Sequence, residues 1–230
     1  TGGYNYLLNL FTAIHGCQAD RIKPILFCGE DAAEKDLQPF LGLGNVEIVR
    51  SSIFSAQQKT ANLLRALLLG LDAKALHLFR QHQIDAVFEN ATFYGWRFPI
   101  PAIAWLPDFQ HRHLREQFGF LAYWRRELGF RVQVASGRTL MLSSEDARKD
   151  CEKFYPGASG KTDVVRFATP IPKEFIEAFP EKVLQEYRLP PQFIYLPNQF
   201  WKHKNHLLVI EALGLLKQQG FDVVVAASGN

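Results

Sequence analysis

Cysteine is scarce in this sequence. The 230 residues include only three cysteines, Cys17, Cys28 and Cys151, which are odd in number and do not lie at the spacings of metal or redox motifs. This usage argues against a disulfide framework and favours a reducing, cytoplasmic environment.

Long apolar runs are absent as well. No stretch approaches the roughly 18 consecutive apolar residues of a membrane-spanning helix, and no signal peptide is visible. The net charge of +3 is only mildly basic. It reflects either scattered, solvated lysines and arginines or a surface that attracts acidic lipid headgroups or phosphorylated ligands. The second alternative admits peripheral contact with the inner face of a membrane. Without a block of basic residues, nucleic acid is not expected as a partner.

The composition is that of a globular protein, with 47% hydrophobic and 21% charged residues. Short apolar segments alternate with helical patterns along the chain. Strands are predicted at 25–28, 46–49, 84–88, 103–106, 139–142, 164–167, 193–196 and 221–226. Helices are predicted at 4–15, 57–82 with a break near Gly70, 114–128, 130–136, 180–187 and 205–219. Continuous apolar strands between helices predict an α/β fold, in which a parallel sheet is covered on both faces.

A domain boundary is expected near residue 170. Two prolines within Thr169-Pro-Ile-Pro-Lys173 interrupt any regular element, and the alternating pattern then restarts. We therefore predict one domain over 1–170 and the incomplete beginning of a second over 171–230. Thr1-Gly-Gly-Tyr-Asn5 is typical of the turn after a strand, so a first strand is expected before Thr1.

The loop from Leu106 to His113 is the longest polar loop at a strand end. It carries Asp108, His111, Arg112 and His113 within a few residues, and either Asp108 or His111 is a candidate to accept or position a proton. Zinc binding by His111 and His113 is a formal alternative without a recognisable further ligand set. Ordinary surface hydrogen bonding, with capping of the next helix, is the other interpretation.

Two more strand-end segments are candidates for ligand contact. Gly2 and Gly3 open the first helix, where a glycine pair permits close approach of a ligand but is equally typical of a plain turn. Ser143 and Ser144 follow another strand, and their pattern favours a helix N-cap over catalysis.

The most informative segment runs from Phe193 to Leu213. It predicts a buried strand, a polar loop and an apolar helix, and the loop carries Lys202, His203, Lys204 and His206. Unpaired backbone N–H groups, the positive end of the helix dipole and lysine side chains would converge there, where a diphosphate would be stabilised. Trp201 beside them is expected either to stack on a base or to cover the edge of the sheet.

Four segments together resemble the bacterial retaining glycosyltransferases of family 4, which have the GT-B architecture of two Rossmann-like domains. These are Gly2-Gly3 with its helix, the loop Trp105–His113, the segment 142–148 with 164–166 and the proline-containing linker, and above all the segment Tyr195–His206. The resemblance covers most of the chain and implies that 1–170 is the acceptor-side domain and 171–230 the start of the donor domain.

The resemblance also implies residue roles. Lys204 matches the family's lysine at the donor diphosphate, with Lys202, Asn205, Gly2 and Gly3 as further donor contacts. Asn198 stands where many members have an arginine, so either Lys202 compensates or the donor is held more weakly. Many members have a catalytic histidine at the strand end where this sequence has Pro107-Asp108, so Asp108 or His111 would have to serve instead. His113, Ser143 and Ser144 fall on the acceptor side. No cofactor is expected.

The function that the resemblance implies is transfer of a sugar from a UDP- or GDP-sugar to a glycan or lipid-linked acceptor, with retention of configuration. The family's glutamate-rich donor motif would follow Asn230, so residues 1–230 alone are expected to be inactive. A nucleotide-sugar epimerase of the same architecture and a non-catalytic binding or scaffold protein remain alternatives.

Overall fold

The computed structural model describes residues 2–90, 92–171 and 173–229. The chain divides into two compact units, Thr1–Pro170 and Ile171–Asn230. The predicted linker 169–173 spans this division, and Pro172 within it lies outside the described residues, as does Thr1 of the predicted first turn.

Helices and strands alternate through the first unit. Its helices are α1 (Gly2–Gln18), α2 (Glu34–Leu41), α3 (Lys59–Leu68), α4 (Ala73–Gln81), α5 (Gln110–His113), α6 (Phe120–Ala135) and α7 (Glu145–Phe154). Its strands are β1 (Ile25–Cys28), β2 (Glu47–Arg50), β3 (Val87–Glu89), β4 (Ala102–Leu106), β5 (Thr139–Leu142) and β6 (Thr162–Val164).

All strand pairs of the first unit are parallel. The main sheet has the order β3-β4-β5-β6, and β1 pairs with β2 in a separate two-stranded sheet. In the centre of the main sheet Trp105 is opposite Met141 and Leu106 is opposite Leu142. This arrangement confirms the predicted α/β fold with a Rossmann-like, all-parallel sheet, whereas the finer GT-B assignment stays a prediction.

Helix α1 covers one face of the main sheet. The ring of Tyr6 stacks on the indole of Trp105 with centroids 4.1 Å apart, and the Tyr6 hydroxyl contacts the sulfur of Met141. Phe11 of the same helix packs edge-on against Phe40 of α2. These aromatic contacts hold α1 on the sheet and α2 on α1.

Helices α6 and α7 cover the opposite face. Leu106, Leu140 and Leu142 point into a fully buried cluster that includes Phe130 of α6 and Cys151 of α7. Because alternate residues of a strand point to opposite faces, β4 and β5 supply one face with Trp105 and Met141 and the other with these leucines. Burial on both faces explains why the central strands β4 and β5 are apolar along their length.

The second unit contains α8 (Lys173–Ile176), α9 (Pro180–Glu186), β7 (Ile194–Pro197), α10 (His206–Gln218) and β8 (Val225–Ser228). Strands β7 and β8 pair in parallel, with Tyr195 opposite Ala226. The hydroxyl groups of Tyr195 and Ser228 lie 2.6 Å apart and join the two strands at the surface.

Most predicted elements form, with shifts of a few residues at their ends. The break near Gly70 is confirmed: its φ of +75° favours glycine, and Asp72 caps α4 by accepting a hydrogen bond from the N–H of Ala75. The predicted separation at Gly129 is wrong, because α6 runs through it. A Cβ at Gly129 would meet no atom within 4 Å, so packing within the described residues does not require glycine at this position.

Among the described residues, no helix has the length and apolar character needed to cross a membrane.

Candidate functional site

An open pocket of about 260 Å³ lies at the carboxyl ends of β4 and β5. Neighbouring parallel strands end at the same edge of a sheet, which is where open α/β sheets bind ligands. The pocket brings together four residues predicted from the sequence, Asp108, His113, Ser143 and Ser144. It adds polar side chains that the sequence did not single out, namely Gln110, Asp146 and Asp150.

Asp108 is held in place at the pocket wall. Its Oδ1 accepts a hydrogen bond from the backbone N–H of Gln110 at 3.0 Å and from Nη2 of Arg126 at 2.7 Å. More than a third of its side chain, 38%, is still exposed. Asp108 is therefore both fixed and accessible, as a group that orients a substrate hydroxyl must be.

His113 forms a pair with a carboxylate in the same pocket. Its Nε2 lies 2.6 Å from Oδ2 of Asp150, and about half of the imidazole side chain, 51%, is exposed. A carboxylate that holds one ring nitrogen leaves the other free to take up a proton, which is the arrangement of a general base. Asp146 lies one turn before Asp150 on the same face of α7.

The two serines connect and shape the pocket. The hydroxyl of Ser143 donates a hydrogen bond to the carbonyl oxygen of Pro107 at 3.0 Å, which ties the loop after β5 to the loop after β4. Ser144 accepts a hydrogen bond from the N–H of Ala147 at 3.0 Å, so the N-cap prediction is confirmed.

His111 does not line the pocket. Its side chain is completely buried, and Nε2 lies 3.3 Å from Oε2 of Glu127. Burial lowers the pKa of this imidazole, and the positive charges of Arg126 and Arg112 lower it further. The hydrogen bond to Glu127 and the charge of Glu127 act in the opposite direction but do not outweigh these effects. The enclosed side chain of His111 therefore does not face the pocket. It anchors α5, of which it is part, in the interior of the first unit.

Glu127 is the centre of this buried polar network. Besides His111 it accepts hydrogen bonds from the hydroxyl of Tyr155 at 2.7 Å, from Nε of Arg131 at 2.7 Å and from Arg112. Burial raises the pKa of this carboxyl, but the hydrogen bonds from Tyr155 and Arg131 and the charge of Arg112 outweigh it and lower the pKa. The charged carboxylate thereby joins α5, α6 and the end of α7 around the pocket.

A second buried ion pair lies at the end of β3. Nε and Nη2 of Arg138 bind the two carboxylate oxygens of Glu89 at 2.9 and 3.0 Å, and both side chains are at most 3% exposed. The guanidinium lies over the ring of Phe93, 4.7 Å from its centroid, and also donates to the carbonyl oxygen of Gly95. This pair fixes the loop after β3 to the start of β5.

In the second unit, the loop after β7 leads into a helix as predicted, but the prediction of a buried strand is wrong, because Ile194 and Tyr195 of β7 are 53% and 57% exposed. A single 3-10 turn, Lys202–Lys204, leads to Asn205, whose φ and ψ of 51° and 48° are left-handed, and α10 begins at His206. No side chain caps α10, and the N–H of Leu208 donates to the carbonyl oxygen of Asn205. The N–H groups of His206 and Leu207 have no backbone acceptor within the described residues and are available to an anion. Lys202 and Lys204 are exposed. Within the described residues, neither lysine takes part in an ion pair.

Asn198, at the start of this loop, has its backbone packed against Gly229. A Cβ at Gly229 would lie 2.1 Å from the carbonyl oxygen of Asn198, so only glycine fits there. The segment after β8 therefore fixes the start of the loop. Asn198 has no side-chain hydrogen bond within 173–229 that would restrain its amide.

Gly2 and Gly3 are the first residues of α1 and belong to a helix rather than to a loop. A Cβ at Gly2 would meet no atom within 4 Å, and one at Gly3 would make only ordinary contacts with Asn90 and Trp105. Packing within the described residues therefore does not require either glycine. Gly3 nevertheless lies near the ends of β3 and β4.

Metal ligation was the alternative interpretation of His111 and His113. Across residues 2–90, 92–171 and 173–229, no three His, Cys, Asp or Glu side chains are grouped so that they could hold a metal ion. The two histidines also point to different partners, Glu127 and Asp150.

No protein-family model matches this chain, and no curated protein or solved structure matches it either. Its function must therefore be inferred from the pocket of the first unit and from the segment 202–205 of the second unit, which we name the lysine loop.

Proposed function

We propose that the protein is a retaining glycosyltransferase of GT-B architecture, which moves a sugar from a nucleotide-diphosphate sugar to a hydroxyl group of a glycan or lipid-linked acceptor. The observation that carries the proposal is the lysine loop: two exposed lysines without ion-pair partners in the described chain precede an uncapped helix N-terminus directly after a parallel strand. This combination suits a dianion such as a diphosphate.

The lysine loop would act on the leaving group. In the reaction the bond between the anomeric carbon and the diphosphate breaks, and negative charge develops on the departing oxygen. Lys204, Lys202 and the N–H groups of His206 and Leu207 at the start of α10 would stabilise this charge. The lysines would thereby serve both binding and catalysis.

The pocket of the first unit would receive the acceptor. Asp108, fixed by Arg126, would hold the acceptor hydroxyl on the face of the sugar from which the diphosphate departs, so that the configuration is retained. His113, held by Asp150, would take the hydroxyl proton as the new glycosidic bond forms. The carboxylates, serine hydroxyls and imidazole of the pocket would form hydrogen bonds with a hydroxylated molecule.

The fold is compatible with this function. Each unit contains parallel strands joined through helices, and a GT-B enzyme requires two such units. Because the same fold serves many activities, the two sites support the proposal more strongly than the architecture does.

Replacement of Lys204 by alanine should weaken donor binding. We expect the Kd for UDP or GDP, measured by calorimetry on the full-length protein, to rise at least about tenfold, because one charge-assisted contact to the diphosphate is lost.

Lys217→Ala is the matched control for this measurement. Lys217 is an exposed lysine in the last turn of the same helix, so its replacement removes the same charge at the opposite end of α10. If both substitutions raised the Kd equally, or if Lys204→Ala left the Kd unchanged, the assignment of the lysine loop to the donor site would be contradicted.

A further inference from the structure

Helix α6 exposes an apolar surface on the side that faces away from the sheet. Phe120, Leu121, Trp124 and Leu128, which we name the α6 outer face, are 69%, 82%, 41% and 54% exposed. Their spacing of three and four residues places them along one side of the helix. The opposite side buries Phe130 in the core, so α6 carries apolar residues on two sides, one in the core and one in contact with water.

Positive charge adjoins the α6 outer face. Residues 112–131 contain five arginines but only two glutamates. One of these glutamates, Glu127, is buried and directed inward. Arg125 is exposed and forms no ion pair in the described part of the chain, and Arg131, which pairs with Glu127, is 59% exposed. On a helical projection Arg125 lies at one edge of the apolar residues, and Arg131 lies in line with them, about one turn beyond Leu128.

We propose that the α6 outer face binds the surface of a membrane containing anionic lipids. Leucine and aromatic side chains bordered by arginines are the composition of helices that lie in the plane of a bilayer interface, with the apolar side in the acyl region and the cations at the headgroups. The helix would lie on the membrane and not span it.

The proposed contact leaves the pocket open. Arg126 of α6 binds Asp108 at the pocket wall, and Arg126 lies on the side of α6 opposite the outer face. A membrane on the α6 outer face would therefore lie on the other side of the helix from this wall of the pocket. Lipid binding does not require sugar transfer, so it can be tested without a donor.

Sedimentation of the protein with vesicles tests the proposal. One set of vesicles consists of phosphatidylcholine, and the other of equal parts phosphatidylcholine and phosphatidylglycerol. We expect binding to the anionic vesicles only, weakened by added salt because screening reduces the attraction of the arginines. Leu121→Ser should reduce the partition coefficient about tenfold through lost apolar burial. Arg125→Gln should reduce it about fivefold.

Leu68→Ser is the matched control, because Leu68 is 80% exposed but belongs to α3. It should bind like the unsubstituted protein. The proposal would be overturned if the protein did not bind anionic vesicles, or if it bound both kinds of vesicle equally. It would also be overturned if Leu68→Ser reduced the partition coefficient as much as Leu121→Ser does. So would self-association without vesicles that Leu121→Ser abolishes, since a second copy of the chain would then cover the α6 outer face.

Tryptophan fluorescence provides an independent measurement. Binding to anionic vesicles should shift the emission to the blue, and Trp124→Phe should remove most of the shift while the protein still sediments with the vesicles. A blue shift that persists in Trp124→Phe would place the contact elsewhere and contradict the assignment to α6.

Discussion

Replacement of Arg138 by alanine should lower the free energy of unfolding by about 3–5 kcal/mol. The guanidinium binds both oxygens of Glu89 and the carbonyl oxygen of Gly95, and Glu89 is completely buried. Without Arg138 a carboxylate would remain in the interior with one backbone N–H, that of Tyr94, as its remaining partner. The expected loss of stability therefore reflects the buried carboxylate that is left without its cation. The net stabilisation that the ion pair itself contributes is the smaller part.

Urea unfolding of three variants measures this effect. Arg148→Ala is the control, since Arg148 pairs with Glu145 at the surface, where both side chains are 45% exposed, and should cost at most about 1 kcal/mol. The double variant Glu89→Leu with Arg138→Met should recover most of the stability, because it removes both buried charges. If Arg138→Ala were no more destabilising than Arg148→Ala, the pair would not fix the loop after β3.

Replacement of His113 by alanine should reduce kcat/KM for sugar transfer about a hundredfold or more, as loss of a general base does. The imidazole is half exposed and contributes little to the core, so the variant should fold. Asp150→Asn should have a smaller effect of the same kind, because it weakens the orientation of the ring without removing the base.

The comparison with His77→Ala separates catalysis from a general effect of histidine loss. His77 is exposed on α4 and does not line the pocket, so its replacement should leave turnover unchanged. Full activity of His113→Ala with a normal unfolding curve would mean that the pocket does not provide the base.

The central strands β4 and β5 of the main sheet were predictable because burial on both faces makes them continuous apolar runs. The edge strands β3 and β6 are shorter and contain Glu89 and Asp163. β5 forms over Thr139–Leu142 as predicted, since Thr139-Leu-Met-Leu142 is apolar and flanked by Arg138 and Ser143. Helix α6 was predicted less well. Gly129 suggested an end, but packing of Phe130 on the sheet continues the helix past it.

The candidate pocket was predictable only in part. Asp108 and His113 could be selected from the sequence because both follow a strand end, where ligands bind. The burial of His111 could not, because it depends on the short helix α5 and on Glu127, sixteen residues further on. Asp150 is thirty-seven residues from His113. Its one signal was the spacing of four residues from Asp146, which places both carboxylates on one face of α7.

The lysine loop was predictable because all of its parts are local. A strand, a short basic segment and a helix follow one another without a gap, so the chain itself brings the lysines to the helix N-terminus. The left-handed conformation of Asn205 is a further local feature, since asparagine tolerates it better than most residues.

The most direct test of the proposed function is product analysis after incubation of the full-length protein with UDP- and GDP-sugars, with and without glycan and lipid-linked acceptors. Nuclear magnetic resonance follows the nucleotide, the anomeric configuration and the sugar together. We predict release of UDP or GDP with formation of a glycoside of unchanged anomeric configuration. A nucleotide sugar that is epimerised without release of the nucleotide, or that is bound and recovered unaltered with every acceptor, would contradict the proposal.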